Sequence, residues 1–118
     1  MDNRKERGNA AEKIAQHYLQ KKGMVLLHCN YRCRWGELDI VARDKDYLVF
    51  VEVRSRWGNR GNAPEEYLRR LKRKRLRDLA YYYLQKEIGH EVACRIDLLV
   101  VNMSLNGEAN SFNHFKGL

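Results

Sequence analysis

The spacing of apolar residues near the start of the chain predicts an amphipathic helix over about residues 5–22. The apolar positions recur at intervals of three and four, which places them on one helix face. Lys21 and Lys22 suit the negative end of such a helix, and Gly23 suits the position just beyond it. The residues that carry this pattern are Ala11, Ile14, Ala15, Tyr18 and Leu19.

Three predicted strands follow this helix. Apolar segments at residues 24–30, 36–42 and 47–55 are separated by polar stretches, and the third segment, YLVFVEVRS, has the strongest strand pattern in the chain. The polar segment RDKD at residues 43–46 predicts a turn. The second and third strands can therefore form a hairpin.

The second half of the chain predicts a helix, a strand and a tail. Pro64 suits the first turn of a helix whose apolar stripe continues to about residue 86. Residues 92–101 predict a further strand, and Asn106–Gly107 predicts a turn before a short last strand. This order indicates an α/β fold, a mixed sheet with helices packed on it, in one domain over residues 1–118. The stripe consists of Leu68, Leu71, Leu76, Leu79, Ala80 and Tyr83.

The charge balance indicates a polyanionic partner. The 118 residues include 23 Lys and Arg against 15 Asp and Glu, which gives a formal net charge of +8. Such a balance favours nucleic acid or an anionic membrane surface. No apolar run approaches the roughly 20 residues that span a bilayer, and the first residues lack the apolar core of a signal peptide. We therefore expect a soluble, cytoplasmic protein with free thiols and no membrane partner.

Acidic residues lie within two of the apolar strands. Residues two apart in a strand share a face, so Glu37 and Asp39 point one way, and Glu52 shares a face with Phe50 and Arg54. A four-residue loop at residues 43–46 puts Asp39 opposite Phe50 and diagonal to Glu52, and a two-residue loop is expected to give the same pairing. A three-residue loop would put the acids on opposite faces.

Such a cluster of acids needs a positively charged partner. A lone buried carboxylate is costly, and several converging carboxylates cost more. A divalent cation such as Mg²⁺, which binds oxygen ligands, would neutralise them. The alternative is that Glu52 forms an ion pair with Arg54 or another arginine at a sheet edge. Asp97, in a later apolar strand, is interpreted as a structural acid that pairs with Arg95.

The segment GELDIVARDKDYLVFVEVRSR resembles the core of the PD-(D/E)xK nuclease superfamily, in which an acid on one strand precedes Glu-x-Lys on the next. The whole chain more closely resembles the YraN-like family, which is related in fold to archaeal Holliday junction resolvases. The matching segments include GNAAEKIAQHYLQKKG, NYRCRWGELDIVARD, APEEYLRRLKRKRLRDLAYYYL and RIDLLVV. The resemblance implies a restriction endonuclease-like mixed β-sheet flanked by α-helices.

The resemblance also implies a set of site residues. Asp39, Glu52 and the backbone carbonyl of Val53 would bind Mg²⁺ or Mn²⁺, and Glu12 on the first helix would complete the site. Arg54 stands where the superfamily has lysine. Because arginine stays protonated, it cannot act as a base, but it can bind a phosphate and stabilise negative charge. Glu37 and Lys72 are secondary candidates.

A run of basic residues follows these strands, and it predicts a phosphate-binding face. The predicted second helix carries a basic face opposite its leucine stripe, which could bind phosphates without regard to sequence. Arg56 and Arg60 lie in the preceding loop, where Trp57 could stack on an unpaired base. The alternatives are a solvated helix face, which is usual for charge runs, or a membrane-surface helix. The basic face consists of Arg69, Arg70, Arg73, Lys74 and Arg77.

The sequence is compatible with three functions, and we expect the first two ahead of the third. The first is a Mg²⁺- or Mn²⁺-dependent nuclease that hydrolyses phosphodiester bonds in DNA. By analogy with the resolvases we expect branched DNA as its substrate and a homodimer as its active form, because a four-way junction requires two cuts. The second is a nucleic-acid-binding module that keeps the nuclease-like fold without catalysis, which Arg54 favours. A purely structural protein is the third, because it does not explain the acids in apolar strands.

Overall fold

The computed structural model describes residues 4–58 and 63–118 and confirms the predicted order of elements. Arg60 lies outside these residues. The chain forms α1 (Arg4–Lys21), β1 (Val25–Cys33), β2 (Gly36–Asp44) and β3 (Tyr47–Trp57). It continues with α2 (Pro64–Arg70), α3 (Arg73–Tyr83), a π-helical turn (Leu84–Ile88), β4 (Cys94–Met103) and β5 (Ala109–Phe115).

The five strands form one mixed sheet in the order β1-β2-β3-β4-β5. Strands β3 and β4 are parallel, and the other neighbouring pairs are antiparallel. The parallel pair requires a crossover connection, which α2 and α3 supply. This is an α/β fold in which helices cover a mixed sheet, as the sequence predicts. Strand β5 confirms the short last strand in the tail.

Each face of the sheet has its own apolar core. On one face, which we call the α1-side core, Ala11, Ala15 and Leu19 of α1 pack against β2, β3 and β4. The opposite face, the α3-side core, packs the sheet against Leu76, Leu79 and Tyr83 of α3. Strand β3 contributes to both because its apolar residues alternate: Val49, Val51 and Val53 lie in the α1-side core, and Leu48 and Phe50 lie in the α3-side core.

The β2–β3 hairpin has a two-residue loop, Lys45 and Asp46, and Lys45 adopts a positive φ of 56°. Asp44 pairs with Tyr47, and Ala42 pairs with Val49. The predicted pairing of Asp39 with Phe50 is therefore wrong by two residues, and a two-residue loop does not give the register of a four-residue loop. The shift is an even number, so it preserves the faces of the side chains and keeps Asp39 beside Glu52.

The side chains of strand β2 stop alternating regularly at Asp39, contrary to the predicted simple alternation. Ile40 packs in the α1-side core, but Leu38, two residues earlier, packs in the α3-side core. The β2–β3 ladder ends at the pair Ile40–Val51, and Asn30 on the neighbouring strand β1 has a positive φ of 57°. The sheet therefore opens at Asp39, where a side chain can occupy the space between strands.

The predicted single helix over residues 64–86 is wrong, because Leu71 and Lys72 interrupt it. Leu71 has an extended backbone (ψ 127°) and is buried, and α3 begins at Arg73. The sequence spacing is consistent with this break: Leu71 and Leu76 are five residues apart, which does not fit one helix face. Among the helices of the described residues, none is long and apolar enough to cross a membrane.

Candidate metal and nucleic-acid site

Asp39 and Glu52 face each other where the β2–β3 ladder ends. Ile40 pairs with Val51, so the next position on each strand is one of these acids. The Asp39 carboxylate accepts a hydrogen bond from the backbone N–H of Val53 at 2.8 Å. The side chain of Asp39 thus binds a donor of β3 at the point where backbone pairing stops. The prediction that the two acids meet is confirmed.

Glu52 is largely removed from water, with 13% of its side chain exposed. Burial, the hydrogen bond with Asp39 and the negative charge of Asp39 together raise the pKa of Glu52 to about 8. Two carboxyl groups in one site cannot both ionise without a cation nearby. This pair therefore holds a proton at neutral pH or requires a positive charge.

Arg54 supplies part of that charge. Its Nη2 atom lies 3.1 Å from Oε2 of Glu52, and its Nη1 atom donates to the backbone carbonyl of Val53 at 3.1 Å. The ion pair between Glu52 and Arg54 that the sequence left as an alternative is therefore present. The guanidinium contacts the same carboxylate and carbonyl oxygens that the sequence resemblance implies as metal ligands.

Glu12 approaches the acids from α1 on the other side of the sheet. The Asn30 amide, oriented with its nitrogen toward the carboxylates, donates to Glu12 Oε2 at 2.9 Å and to Glu37 Oε1 at 2.8 Å. Burial raises the pKa of Glu12, as does the nearby charge of Asp39. Glu12, Glu37 and Asp39 therefore form one electrostatic cluster. Within it the Asn30 amide bridges Glu12 and Glu37.

The donor chemistry at Asp39, Glu52 and Val53 fits a hard divalent cation. Two carboxylates and a carbonyl are oxygen ligands, and Mg²⁺ typically combines a few such ligands with several waters. Within residues 4–58 and 63–118, no set of three or more His, Cys, Asp or Glu side chains is arranged to hold a metal ion. Glu12 therefore does not complete the ligand set in this geometry, and two carboxylates with the carbonyl would be the protein's contribution.

A basic groove opens over the acid pair. A cavity of about 300 Å³ is lined by the acids Glu37, Asp39 and Glu52 and, across from them, by cationic and apolar side chains of the α2–α3 region. The helix break at Leu71–Lys72 brings cations from both helices to this groove. The lining residues of the α2–α3 region are Arg70, Lys72, Arg75, Leu76 and Leu79, and Arg54 of β3 also lines the groove.

The remaining predicted cations do not share one helix face, because the helix is broken. Arg73 and Lys74 line a neighbouring cavity, and Arg77 lines an apolar groove on another part of α3. Arg69 pairs with Glu66 on α2 and does not line either the acid groove or the Arg73 cavity. The predicted single basic face is therefore wrong in its geometry, while Arg70 and Lys72 are next to the acids.

Arg56 and Trp57 lie on strand β3, whereas the sequence predicts them in a loop. The strand continues through Trp57 and pairs with β4. The Trp57 ring packs against the α1-side core, and Arg7 lies over it at 5.1 Å from the ring centroid. Arg56 is half-buried on the same strand. Trp57 thus has a packing contact where base stacking was predicted, and it lines neither cavity described above.

Sequence reasoning missed three residues that the fold brings to the site. Trp35 lines the cavity beside the acid groove, Arg75 lines both, and Asn30 connects Glu12 with Glu37. A signal for Trp35 was present, since it occupies a short polar segment between two strands and precedes Gly36. The contacts of Arg75 depend on the helix break and those of Asn30 on its positive φ of 57°, and no local pattern indicates either feature.

Comparison with known proteins gives the family of the chain. A family model described as "Uncharacterised protein family UPF0102" matches residues 11–101. A UPF0102 protein of Pelotomaculum thermopropionicum is 41% identical over 115 residues, which cover 98% of this chain and 96% of that protein. A UPF0102 protein of Mycolicibacterium vanbaalenii is 37% identical over 117 residues, covering 99% and 96% of the two chains. The YraN-like resemblance is thus confirmed: the chain belongs to the UPF0102 family.

Proposed function

We propose that this protein is a divalent-metal-dependent nuclease that hydrolyses phosphodiester bonds in DNA. The observation that carries the proposal is the partly buried pair Asp39–Glu52 in a groove that Arg70, Lys72 and Arg75 also line. Acids that need a cation therefore share one groove with cations that can bind phosphates. The resemblance to the PD-(D/E)xK core supports the same assignment.

Asp39, Glu52 and the carbonyl of Val53 would hold the Mg²⁺ or Mn²⁺ ion. When bound, the ion would polarise the scissile phosphate and lower the pKa of a water molecule. Val53 is well suited to this role because its N–H already donates to Asp39 at 2.8 Å, which fixes the carboxylate relative to the neighbouring carbonyl. Glu12 and Glu37 add negative charge beside the ligands and strengthen the site's preference for a divalent cation.

Arg54 would change partners during the reaction. Its guanidinium contacts Glu52 and the Val53 carbonyl, and these contacts must loosen before the same oxygens can bind an ion. About half of its side chain is exposed, so it can turn toward the groove. There its N–H groups would donate to the phosphate and stabilise the negative charge of the transition state.

The α2–α3 cations would hold the DNA backbone. Arg70 is the last residue of α2, Lys72 lies in the helix break, and Arg75 lies in the first turn of α3, which contains no acidic residue. Basic side chains at the positive end of a helix are unfavourable for the helix but favourable for a bound phosphate. Such contacts release counterions, so the binding should weaken steeply as salt increases.

The proposed substrate is structured or branched DNA, by analogy with Holliday junction resolvases. Two symmetric cuts on a four-way junction require two sites, so a homodimer is the expected active form.

A nucleic-acid-binding module without catalysis is the second candidate. It is favoured by Arg54, which occupies the oxygens that an ion would need and which cannot act as a base. In this alternative the arginine would replace the metal permanently, and the basic groove alone would provide function.

The test is incubation of purified protein with labelled junction, flap and linear DNA, in Mg²⁺, in Mn²⁺ and in chelator. Asp39→Asn and Glu52→Gln keep the size of each side chain and remove its charge. Matched controls are Asp46→Asn in the β2–β3 loop and Glu91→Gln before β4, both exposed carboxylates outside the groove.

Metal-dependent cleavage that both site variants abolish and both control variants retain supports the nuclease. Cleavage that survives Asp39→Asn and Glu52→Gln would assign the activity to a contaminant or to another site. Salt-sensitive DNA binding without cleavage in any metal favours the binding module.

A further inference from the structure

Trp35 lies at the tip of the β1–β2 hairpin with 60% of its surface exposed. Cys33 pairs with Gly36, so Arg34 and Trp35 are the two loop residues. The Arg34 guanidinium lies over the indole at 5.1 Å from the ring centroid. The tight turn thus presents a face of the indole to solvent, where the base of a nucleic acid could stack on it.

The surroundings of Trp35 are strongly cationic. It lines a cavity of about 560 Å³ together with four consecutive basic residues, Lys72 to Arg75. The one acid in the lining, Asp78, is paired with Lys74 at 3.0 Å. An aromatic platform among cations matches the needs of a nucleic acid strand, in which the bases stack and the phosphates require positive charge.

This cavity continues into the acid groove. Lys72, Arg75 and Leu79 line both. Arg75 also passes closely over the hairpin, because a Cβ at Gly36 would lie 2.9 Å from its Nη2 atom. Four residues of extended chain separate Trp35 from Asp39, a distance of about 13 Å at roughly 3.3 Å per residue.

We propose that Trp35 stacks on an unpaired base of the nucleic acid strand that the Lys72–Arg75 cations hold toward the acid pair. The inference rests on the proposed nucleic-acid function and adds a preference for single-stranded or unpaired segments over an uninterrupted duplex. A base within a duplex is already stacked on its neighbours and presents no free face to the indole. Phosphates of either form can use the cations, so only the aromatic contact discriminates between them.

The experiment measures binding of a labelled oligothymidine and of a blunt duplex of equal length, in chelator, so that binding is read without cleavage. Trp35→Ala should weaken oligothymidine binding about five-fold or more and duplex binding much less, as expected for the loss of one stacked base. Trp35→Phe should keep most of the affinity. Tyr47→Ala, which removes an exposed aromatic ring beside the β2–β3 loop at the other end of β2, is the matched control and should change neither affinity.

Tryptophan fluorescence gives a second readout. The chain has two tryptophans, so Trp57→Phe leaves Trp35 as the single reporter. Its emission should be quenched by oligothymidine and much less by the duplex. Quenching by both to the same extent would contradict stacking on an unpaired base.

The outcomes separate this inference from the proposed nuclease. Equal affinities of wild type and Trp35→Ala, or an equal loss for both ligands, would overturn the role of Trp35 and leave the nuclease intact. A selective loss in a protein that cleaves nothing would support Trp35 and overturn hydrolysis. Failure of the wild type to bind oligothymidine would overturn the role of Trp35, and the cleavage assay with junction and flap DNA tests the nuclease separately.

Discussion

Glu52→Gln tests the electrostatics of the acid pair through protein stability. Burial, followed by contact with Asp39, raises the pKa of Glu52 from 4.5 to about 8. The folded protein therefore holds the Glu52 proton more tightly than the unfolded chain does. The resulting stabilisation is complete below about pH 4.5 and is lost as the pH rises through about 8, so the sign is opposite to that of an ordinary paired carboxylate.

The magnitude follows from the difference between the two pKa values. At about 1.4 kcal/mol for each pKa unit, the step from 4.5 to about 8 corresponds to an upper limit of about 5 kcal/mol. We expect about 2 to 4 kcal/mol, because the side chain keeps some contact with water and the site can relax around the charge. Glutamine resembles the protonated acid at every pH, and its amide can donate to Asp39 as the protonated carboxyl does.

The assay is urea unfolding of wild type and Glu52→Gln in chelator at about pH 5 and about pH 9. The two proteins should be similar in stability at the lower pH, and the variant should be more stable by about 2 to 4 kcal/mol at the higher pH. Glu91→Gln, at an exposed carboxylate, is the control and should show no such divergence. A stability difference between wild type and Glu52→Gln that is the same at both pH values would refute the buried-acid argument.

Other variants test the remaining parts of the account. Asp97→Asn should cost about 3 to 5 kcal/mol in urea unfolding, because buried Asp97 accepts from Arg95, His114 and the Gly117 N–H. Burial alone would raise the pKa of Asp97, but these bonds lower it below 3.8, so its stabilising contribution is present above that value and is lost on acidification. Arg54→Ala should slow cleavage by about 100-fold or more, and a rate equal to wild type would exclude transition-state stabilisation by Arg54. Lys72→Ala should reduce the slope of log affinity against log salt by about one, and an unchanged slope would remove Lys72 from the phosphate contacts.

The elements that the sequence predicts well are those whose pattern is local. The α1 helix has a regular apolar spacing, and residues 48–53 of β3 alternate between the two cores, so both faces of the sheet are encoded in a short segment. Asp39 and Glu52 meet because an even shift of register preserves the face of every side chain. The Arg95–Asp97 pair was predictable because the two residues are neighbours on one face of β4.

The features that escaped prediction depend on contacts between distant segments. The break at Leu71–Lys72 is visible only as an interval of five in the leucine spacing, and its effect is to bring Lys72 and Arg75 over the acids. The position of Trp57 before the basic run predicts a stacking role, but the pairing of β3 with β4 places Trp57 in packing contacts. Trp35 is 37 residues before Lys72 in the chain and reaches the same cavity only through the fold.

Cleavage of flap or junction DNA in Mn²⁺ by wild type and Glu52→Gln, purified in parallel with Glu91→Gln, tests the central claim most directly. The account predicts cleavage by wild type and by Glu91→Gln that chelator abolishes, and a loss of at least about 100-fold in Glu52→Gln. Equal cleavage by Glu52→Gln and wild type would contradict it.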